Sequence, residues 1–475
     1  MLLAGLPTRC LAPCLSRYTI ADPPIVMNSN RRTFLASAAA TTLALKSRLA
    51  LCSPLSASDR FARQREAKFG MFIHWGPYSL AGVEASWPIM VKNDEITEAE
   101  YRALPARFNP AHFDPNEWID LARRAGQRYM VFTTKHCDGF CMFDSDFTGY
   151  KITRTPYGKD IFKQLADACA ARQMALGIYY SPPDMNHPGY RDTSQPSTAN
   201  YKGEPARPEW PLYLDYMGLQ LHELLTRYGP ITEVWFDTVD PNIQARYDGQ
   251  RFIDEVRRLQ PDALINNRMG VPGDFLTPEQ FIPRAVPTKG LRMDSPDHSF
   301  ADRQPITVPR PGQFQPWETC MTINDTWAYR PKDRNFKSAD TLIRNMVEIV
   351  SRGGNFLLDV GPQPDGRIQP EFVERLQAVG TWVHANAAAI YGSTYGPVQG
   401  ESAFRTSSRG SNVYVFVMDS SAASIAIGGL KMKTAAVRHL ATGRPIPFTQ
   451  SVGKITITID RALWSSGLPV LELNT

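Results

Sequence analysis

Ile231-Thr-Glu-Val-Trp-Phe-Asp-Thr238 is a short apolar run that ends on a carboxylate, Asp237, with Trp235 two residues before it. Two upstream stretches have the same form: Phe69-Gly-Met-Phe-Ile-His-Trp-Gly76 and Thr134-Lys-His-Cys-Asp-Gly-Phe140. Each begins as a β-type run and stops at polar, aromatic or ionisable residues. Several strands ending in reactive side chains are what a (β/α)8 barrel uses to assemble one active site at its C-terminal face.

The surrounding pattern supports that fold. From Arg60 to about Tyr391, short apolar runs alternate with amphipathic stretches. The runs are Gly70–His74, Tyr129–Thr134, Ala175–Tyr180, Thr232–Asp237, Ala263–Asn267 and Asn355–Val360. Between them the spacing predicts helices over Pro115–Ala125, Trp210–Tyr228, Asp254–Leu259, Ala339–Ser351 and Pro370–Ala385. Leu214, Met217, Leu221, Leu224 and Leu225, for example, make one apolar stripe. Strands alternating with helices give a parallel sheet covered by helices, and the repeat number favours a barrel over an open sheet. Pro182–Pro211 and Gly270–Pro316 break the alternation and read as long loops, which in a compact domain are commonly functional. After Tyr391 the runs Asn412–Val417, Ser424–Ile427 and Lys454–Asp460 are alternating or β-branched, as in a small antiparallel β-sandwich. The predicted organisation is a leader over 1–57, a barrel over 58–394 and a β-sandwich domain over 395–475.

The 475 residues carry a formal charge of +5, and all of it falls in the first 57 residues, which hold six Lys/Arg and one Asp. The remaining 46 basic and 46 acidic residues cancel, so the body has no basic excess of the kind that binds nucleic acid. Asn30-Arg-Arg-Thr-Phe-Leu35, followed by the Ala-rich Ala36–Leu45, has the basic, apolar and small-residue order of an export signal. Its arginine pair resembles the twin-arginine type. That predicts export to the periplasm or beyond, with Met27 as a start that leaves a leader of ordinary length. Past the leader no stretch is long and apolar enough to span a bilayer. Leu49-Ala-Leu-Cys52 is a poor lipoprotein box, because Leu precedes the Cys. Of seven cysteines, four (Cys137, Cys141, Cys169 and Cys320) lie past the leader, too few for a disulfide scaffold.

The candidate chemistry rests on carboxylates. Asp237, at the end of a buried-type strand, is poorly solvated and needs partners; capping the next helix is the alternative role. Glu279, in the second long loop, can reach over the barrel mouth, or simply begin a helix after Pro278. Glu318, next to Trp317, is the rival acid. Two such carboxyls suit glycoside hydrolysis, one as nucleophile and one as acid/base. His74, His136, Tyr179, Tyr180, Arg268, Trp87 and Trp327 surround these candidates in the pattern. Histidines can bond sugar hydroxyls, and aromatics stack on apolar sugar faces. No His-x-His or His-Glu-x-x-His spacing points to a metal, and no cofactor is implied, because glycosyl transfer to water needs only the two carboxyls.

With these residues in hand, the chain resembles the α-L-fucosidases of glycoside hydrolase family 29 over about residues 60–395. Eight ordered segments carry the resemblance: Lys68–Gly76, Thr134–Phe140, Gly177–Ser181, Val234–Asp237, Asn267-Arg268, Asp274–Gln280, Trp317–Cys320 and Gly354–Pro362. The resemblance implies a retaining exo-fucosidase acting on a fucosylated oligosaccharide or glycoconjugate. It implies Asp237 as nucleophile and Glu279 as acid/base, with Glu318 as second choice. It assigns His74, Trp87, His136, Tyr180, Trp235 and Arg268 to the fucose pocket. Two departures stand out, and they would remove two polar contacts to fucose: His136-Cys137 where many members have two histidines, and Ser86-Trp87 where many have Glu-Trp. The His-Cys-Asp-Gly-Phe-Cys and Thr-Pro-Glu-Gln forms are similar to the subgroup acting on α-1,3/1,4-linked fucose. Asp359 stands where Asn is common. Two other readings share this scaffold: a catalytically silent glycan-binding protein, and a barrel glycosidase for another sugar.

Overall fold

In a computed structural model, residues 57–90, 95–190, 209–237, 247–283, 313–398 and 403–474 are described. Residues 1–56 of the predicted leader, and the middle parts of both predicted long loops, lie outside them.

Seven parallel strands follow one another in the sheet order β5-β4-β3-β2-β1-β7-β6. They are β1 (Phe69–Ile73), β2 (Tyr129–Lys135), β3 (Ala175–Tyr180), β4 (Glu233–Phe236), β5 (Leu264–Ile265), β6 (Glu318–Thr322) and β7 (Asn355–Val360). The gap between β5 and β6 is bridged by Phe275–Glu279, which runs parallel to both through Asn266–Phe275, Leu276–Trp317 and Glu279–Cys320 pairs. That segment is the eighth stave of the barrel. From the sequence alone it reads as part of the long loop Gly270–Pro316.

Because β side chains alternate between faces, one phase of each strand fills the barrel. Phe72, Tyr129, Val131, Tyr179, Trp235, Leu264, Phe275, Cys320 and Leu357 form that inner cluster. The other phase, such as Met71, Ile178, Tyr180, Val234 and Phe236, packs outward against the helices. Gly70 is required inside: it pairs with Tyr129, and a Cβ at Gly70 would lie 2.4 Å from the Tyr129 ring.

The outer helices are defined by local signals. Asp114 caps Pro115–Ala125, and Gly126, in the left-handed region at φ 85°, ends it. Asp160 caps Ile161–Ala171, and Ser338 caps Ala339–Ser351. Such caps contribute about 1 kcal/mol each. The apolar stripe matters more, since each fully buried Leu, Ile or Phe contributes roughly 1.5–3 kcal/mol.

Past the barrel, a five-stranded antiparallel sheet includes Thr394–Tyr395, Phe404–Arg409, Asn412–Val417, Ala436–His439 and Val470–Asn474. A three-stranded sheet holds Ser424–Gly428, Phe448–Ser451 and Lys454–Thr458. Val413, Val415, Ile425, Ile457 and Leu471 pack between the sheets. On the outer face of the larger sheet, Phe416 meets Trp382 of the last barrel helix, whose indole N–H donates to the Leu468 carbonyl at 2.8 Å. Cys137, Cys141, Cys169 and Cys320 are buried free thiols. No helix among the described residues is long and apolar enough to cross a membrane.

Candidate active site

A pocket of about 380 Å³, part of it open to solvent, sits over the C-terminal strand ends. Phe72 and Trp235 line it below, and His74, His136, Tyr179, Asp237, Glu279, Trp87 and Trp327 line it around.

Asp237 is the residue after β4 and is 8% exposed. Tyr179 donates its hydroxyl proton to Asp237 Oδ2 at 2.7 Å, and Arg268 Nη1 donates to Oδ1 at 2.8 Å. Burial raises the Asp237 pKa, Arg268 pulls it back and the Glu279 charge raises it further; the net direction is up. Arg268 Nη2 binds Glu279 Oε2 at 2.7 Å, so one guanidinium holds both carboxylates. Arg268 is itself fixed by Thr277, through Nε to the hydroxyl at 2.9 Å and Nη2 to the carbonyl at 3.1 Å. It also lies 4.4 Å from the centre of the Trp235 ring, a cation–π contact. Trp235 stacks on Tyr179, and Tyr179 stacks on His136 with rings 7° apart. The aromatic stack therefore runs under Arg268 and across to the histidines.

The two histidines sit in opposite electrostatic settings. His74 Nδ1 lies 2.7 Å from the Asp359 carboxylate on β7. Burial alone would lower the His74 pKa, but Asp359, with Asp237 and Glu84 behind it, outweighs burial and the pKa is raised. Burial pushes Asp359 up to about 6 against the pull of His74. His136 has no carboxylate partner among the described residues; burial and the nearby His74 charge hold its pKa well below the usual value. Its Nδ1 is 2.7 Å from Ser86 Oγ.

Asp359→Asn is therefore expected to lower the His74 pKa, read as an acid-ward shift in the His74 NMR titration and in the alkaline limb of kcat/KM. The sign follows from the raised folded value. The stability His74 contributes is full below its ordinary pKa of about 6.5 and fades as pH rises through the raised one. An unchanged titration would show that Asp359 does not set the charge of His74.

Most predicted site residues meet here: Asp237, Glu279, His74, His136, Trp87 and Trp235 line the pocket, and Arg268 ties it together. Two do not. Tyr180 belongs to the outward phase of β3, is fully buried, and donates to Gln220 at 2.9 Å behind the sheet; its neighbour Tyr179 faces the pocket. Glu318 begins β6, so it lies at the opposite, N-terminal end of the barrel. There it is fully buried, accepts from Tyr129 and faces Glu233. Burial pushes its pKa up to about 7. Sequence reading also missed Phe72, Met90 and Cys320 in the wall, and Glu84, whose Oε1 accepts the Trp327 backbone N–H at 2.8 Å. Among the described residues, no group of three or more His, Cys, Asp or Glu side chains forms a cluster able to hold a metal ion.

The family model described as α-L-fucosidase matches residues 52–388. Tissue α-L-fucosidase of Bos taurus is 29% identical over 385 residues, 74% of each chain. Plasma α-L-fucosidase of Homo sapiens is 28% identical, over 69% of this chain and 68% of its own. Among solved structures, α-L-fucosidase isoenzyme 1 from Paenibacillus thiaminolyticus has a TM-score of 0.77 and 32% identity, covering 88% of this chain and 99% of its own. A family 29 α-L-fucosidase from Bacteroides thetaiotaomicron, a trapped covalent intermediate with 2-fluoro-fucosyl fluoride, has a TM-score of 0.74 and 25% identity, covering 88% and 95%.

Proposed function

We infer the reaction from one premise: this chain belongs to the α-L-fucosidase family of glycoside hydrolases. Its substrate class is accordingly the fucosylated glycan. The proposal is that it removes terminal α-L-fucose with retention of configuration, through a covalent fucosyl-enzyme on Asp237, with Glu279 as acid/base.

The shared guanidinium carries this reading. A retaining glycosidase needs two carboxyls about 5–5.5 Å apart, and two carboxyls on Nη1 and Nη2 of one arginine are close neighbours. Their settings also differ. Asp237 is deep, with each oxygen taking a directed hydrogen bond, which suits a nucleophile that must be aimed. The Glu279 side chain is 41% exposed, which suits a group that must reach a leaving group and then a water. In the first step an Asp237 oxygen bonds to the anomeric carbon, the bond to the leaving oxygen breaks, and Glu279 gives that oxygen a proton. In the second, Glu279 takes a proton from water, the water oxygen bonds to the anomeric carbon, and Asp237 leaves as carboxylate. The covalent intermediate named for the Bacteroides relative supports this route.

The finer proposal is preference for α-1,3/1,4-linked fucose on branched glycans. Ser86 and Cys137 stand where commoner residues would offer polar contacts to the sugar. Here Ser86 bonds His136 and Cys137 Sγ lies 2.9 Å from Ser181 Oγ, both buried. With two such contacts gone, at about 1 kcal/mol each, fucose alone is held weakly and neighbouring sugars must add affinity. Fucose release from a Lewis-type trisaccharide should exceed release from an aryl α-L-fucoside by roughly tenfold or more in kcat/KM. Equal rates would mean a broad fucosidase and would remove the linkage proposal.

A further inference from the structure

We propose that Ser86 is a positioning residue for the fucoside pocket: it fixes the tautomer of His136, so that this ring offers the substrate an Nε2–H donor. The inference rests on the fucosidase reading for its consequence, though not for its geometry.

The geometry is a buried chain of directed hydrogen bonds. Ser86 is 0% exposed. Its Oγ makes two directed hydrogen bonds, with the backbone N–H of Asp138 at 3.0 Å and with His136 Nδ1 at 2.7 Å; the Tyr101 hydroxyl, also beside it, gives its own proton to Asp138 Oδ2. A backbone N–H can only donate, so it occupies a lone pair of the hydroxyl. A hydroxyl has one proton, and of its two directed hydrogen-bond partners only His136 Nδ1 can accept it. The arrangement around Asp138 is itself held: its Oδ1 accepts from the Phe140 N–H at 3.0 Å, and its Oδ2 from the Tyr101 hydroxyl at 2.9 Å. The backbone amide that orients Ser86 is thus anchored on both sides.

An imidazole whose Nδ1 accepts carries its proton on Nε2. The ring is neutral, because burial and the His74 charge oppose protonation. Nδ1 is spent on Ser86, so Nε2–H is the polar atom left to the pocket that His136 lines. Stacking on Tyr179 at 5.5 Å fixes the ring plane. The other histidine differs: its Nδ1 faces a carboxylate, so its state follows pH. His136 is a donor by construction. It recognises a substrate oxygen as acceptor, and a sugar lacking that oxygen leaves a buried N–H unpaired, which is the kind of mismatch that discriminates strongly. Ser86, which reads from sequence as a lost sugar contact, acts on the sugar through His136.

The test is long-range proton–nitrogen NMR on the protein with ring-labelled histidine, using His136→Asn to assign the signal. The expected wild-type pattern is a neutral ring with an Nδ1 acceptor and an Nε2–H. Ser86→Ala should give a mixture of tautomers and raise KM for the preferred fucoside roughly tenfold, with kcat changed by less than about threefold. Ser86→Thr, which keeps the hydroxyl, should restore both. A wild-type His136 protonated on Nδ1 would overturn the proposal, and so would a Ser86→Ala protein with unchanged tautomer and KM. The NMR is read on the free protein and needs no turnover. Failure of the fucosidase reading would therefore show as absent fucose release with the tautomer intact, and failure of this inference as the wrong tautomer in an active enzyme.

Discussion

Asp237→Ala lowers kcat on every α-L-fucoside by at least about a thousandfold, the loss expected when a nucleophile is removed and binding remains. The fold should survive, because the substitution deletes a buried carboxyl whose pKa is already raised and leaves Arg268 paired with Glu279. The vacated space, still facing the Tyr179 hydroxyl and Arg268, suits a small anion. Added azide should restore part of the rate and give fucosyl azide of inverted configuration, since the azide attacks from the side Asp237 held. Rate measurements with and without azide, with the product anomer read by NMR, check this. Turnover near that of the unaltered protein would remove Asp237 from the mechanism.

Glu279→Gln has the second largest effect, and it depends on the leaving group. A sugar alcohol must be protonated as it departs, so natural glycans should lose about 10²–10⁴ in kcat. A fluoride or dinitrophenolate leaves without help, so the first step is largely spared. The second step, which needs a base to activate water, becomes limiting and the fucosyl-enzyme accumulates. Azide needs no base and should speed this variant too, but with retained product, the opposite outcome to Asp237→Ala. The variant keeps the shape of the side chain while weakening its ion pair with Arg268, so Asp237 remains aimed. Equal losses on activated and natural substrates would mean that Glu279 supports the pocket without transferring a proton.

Much of the barrel was legible because its helices and most strands obey local rules. Pro115–Ala125, Ala339–Ser351 and Pro370–Ala385 begin and end where the sequence pattern predicts. Asp237 was legible because a carboxylate at the end of an apolar strand has few other uses. Two staves were not. Glu318-Thr-Cys-Met-Thr322 is too polar to read as a buried strand, and Phe275–Glu279 pairs by single bridges across a Pro-containing segment. Placing Glu279 at the mouth and Glu318 at the base depended on those staves.

The phase of β3 was harder. Two adjacent tyrosines cannot be told apart by composition, and the family resemblance pointed to Tyr180. The parallel register pairs Tyr179 with Trp235 and Tyr180 with Phe236, so the tyrosine level with the inward Trp faces the pocket. In the sequence Asp359 is a departure without a visible consequence; its distance to His74 supplies one. Ser86 and Cys137 were read as losses in the pocket, and their buried partners lay 50 and 44 positions away in sequence, beyond any local pattern.

The most direct measurement is mass spectrometry of the Glu279→Gln protein after exposure to 2-fluoro-fucosyl fluoride, followed by proteolysis and sequencing of the labelled peptide. The predicted result is one fluorofucosyl group per chain, esterified to Asp237 in the Ile231–Thr238 stretch. A label on any other carboxylate, or turnover with no label under conditions where the fluoride is consumed, would contradict a covalent mechanism at Asp237.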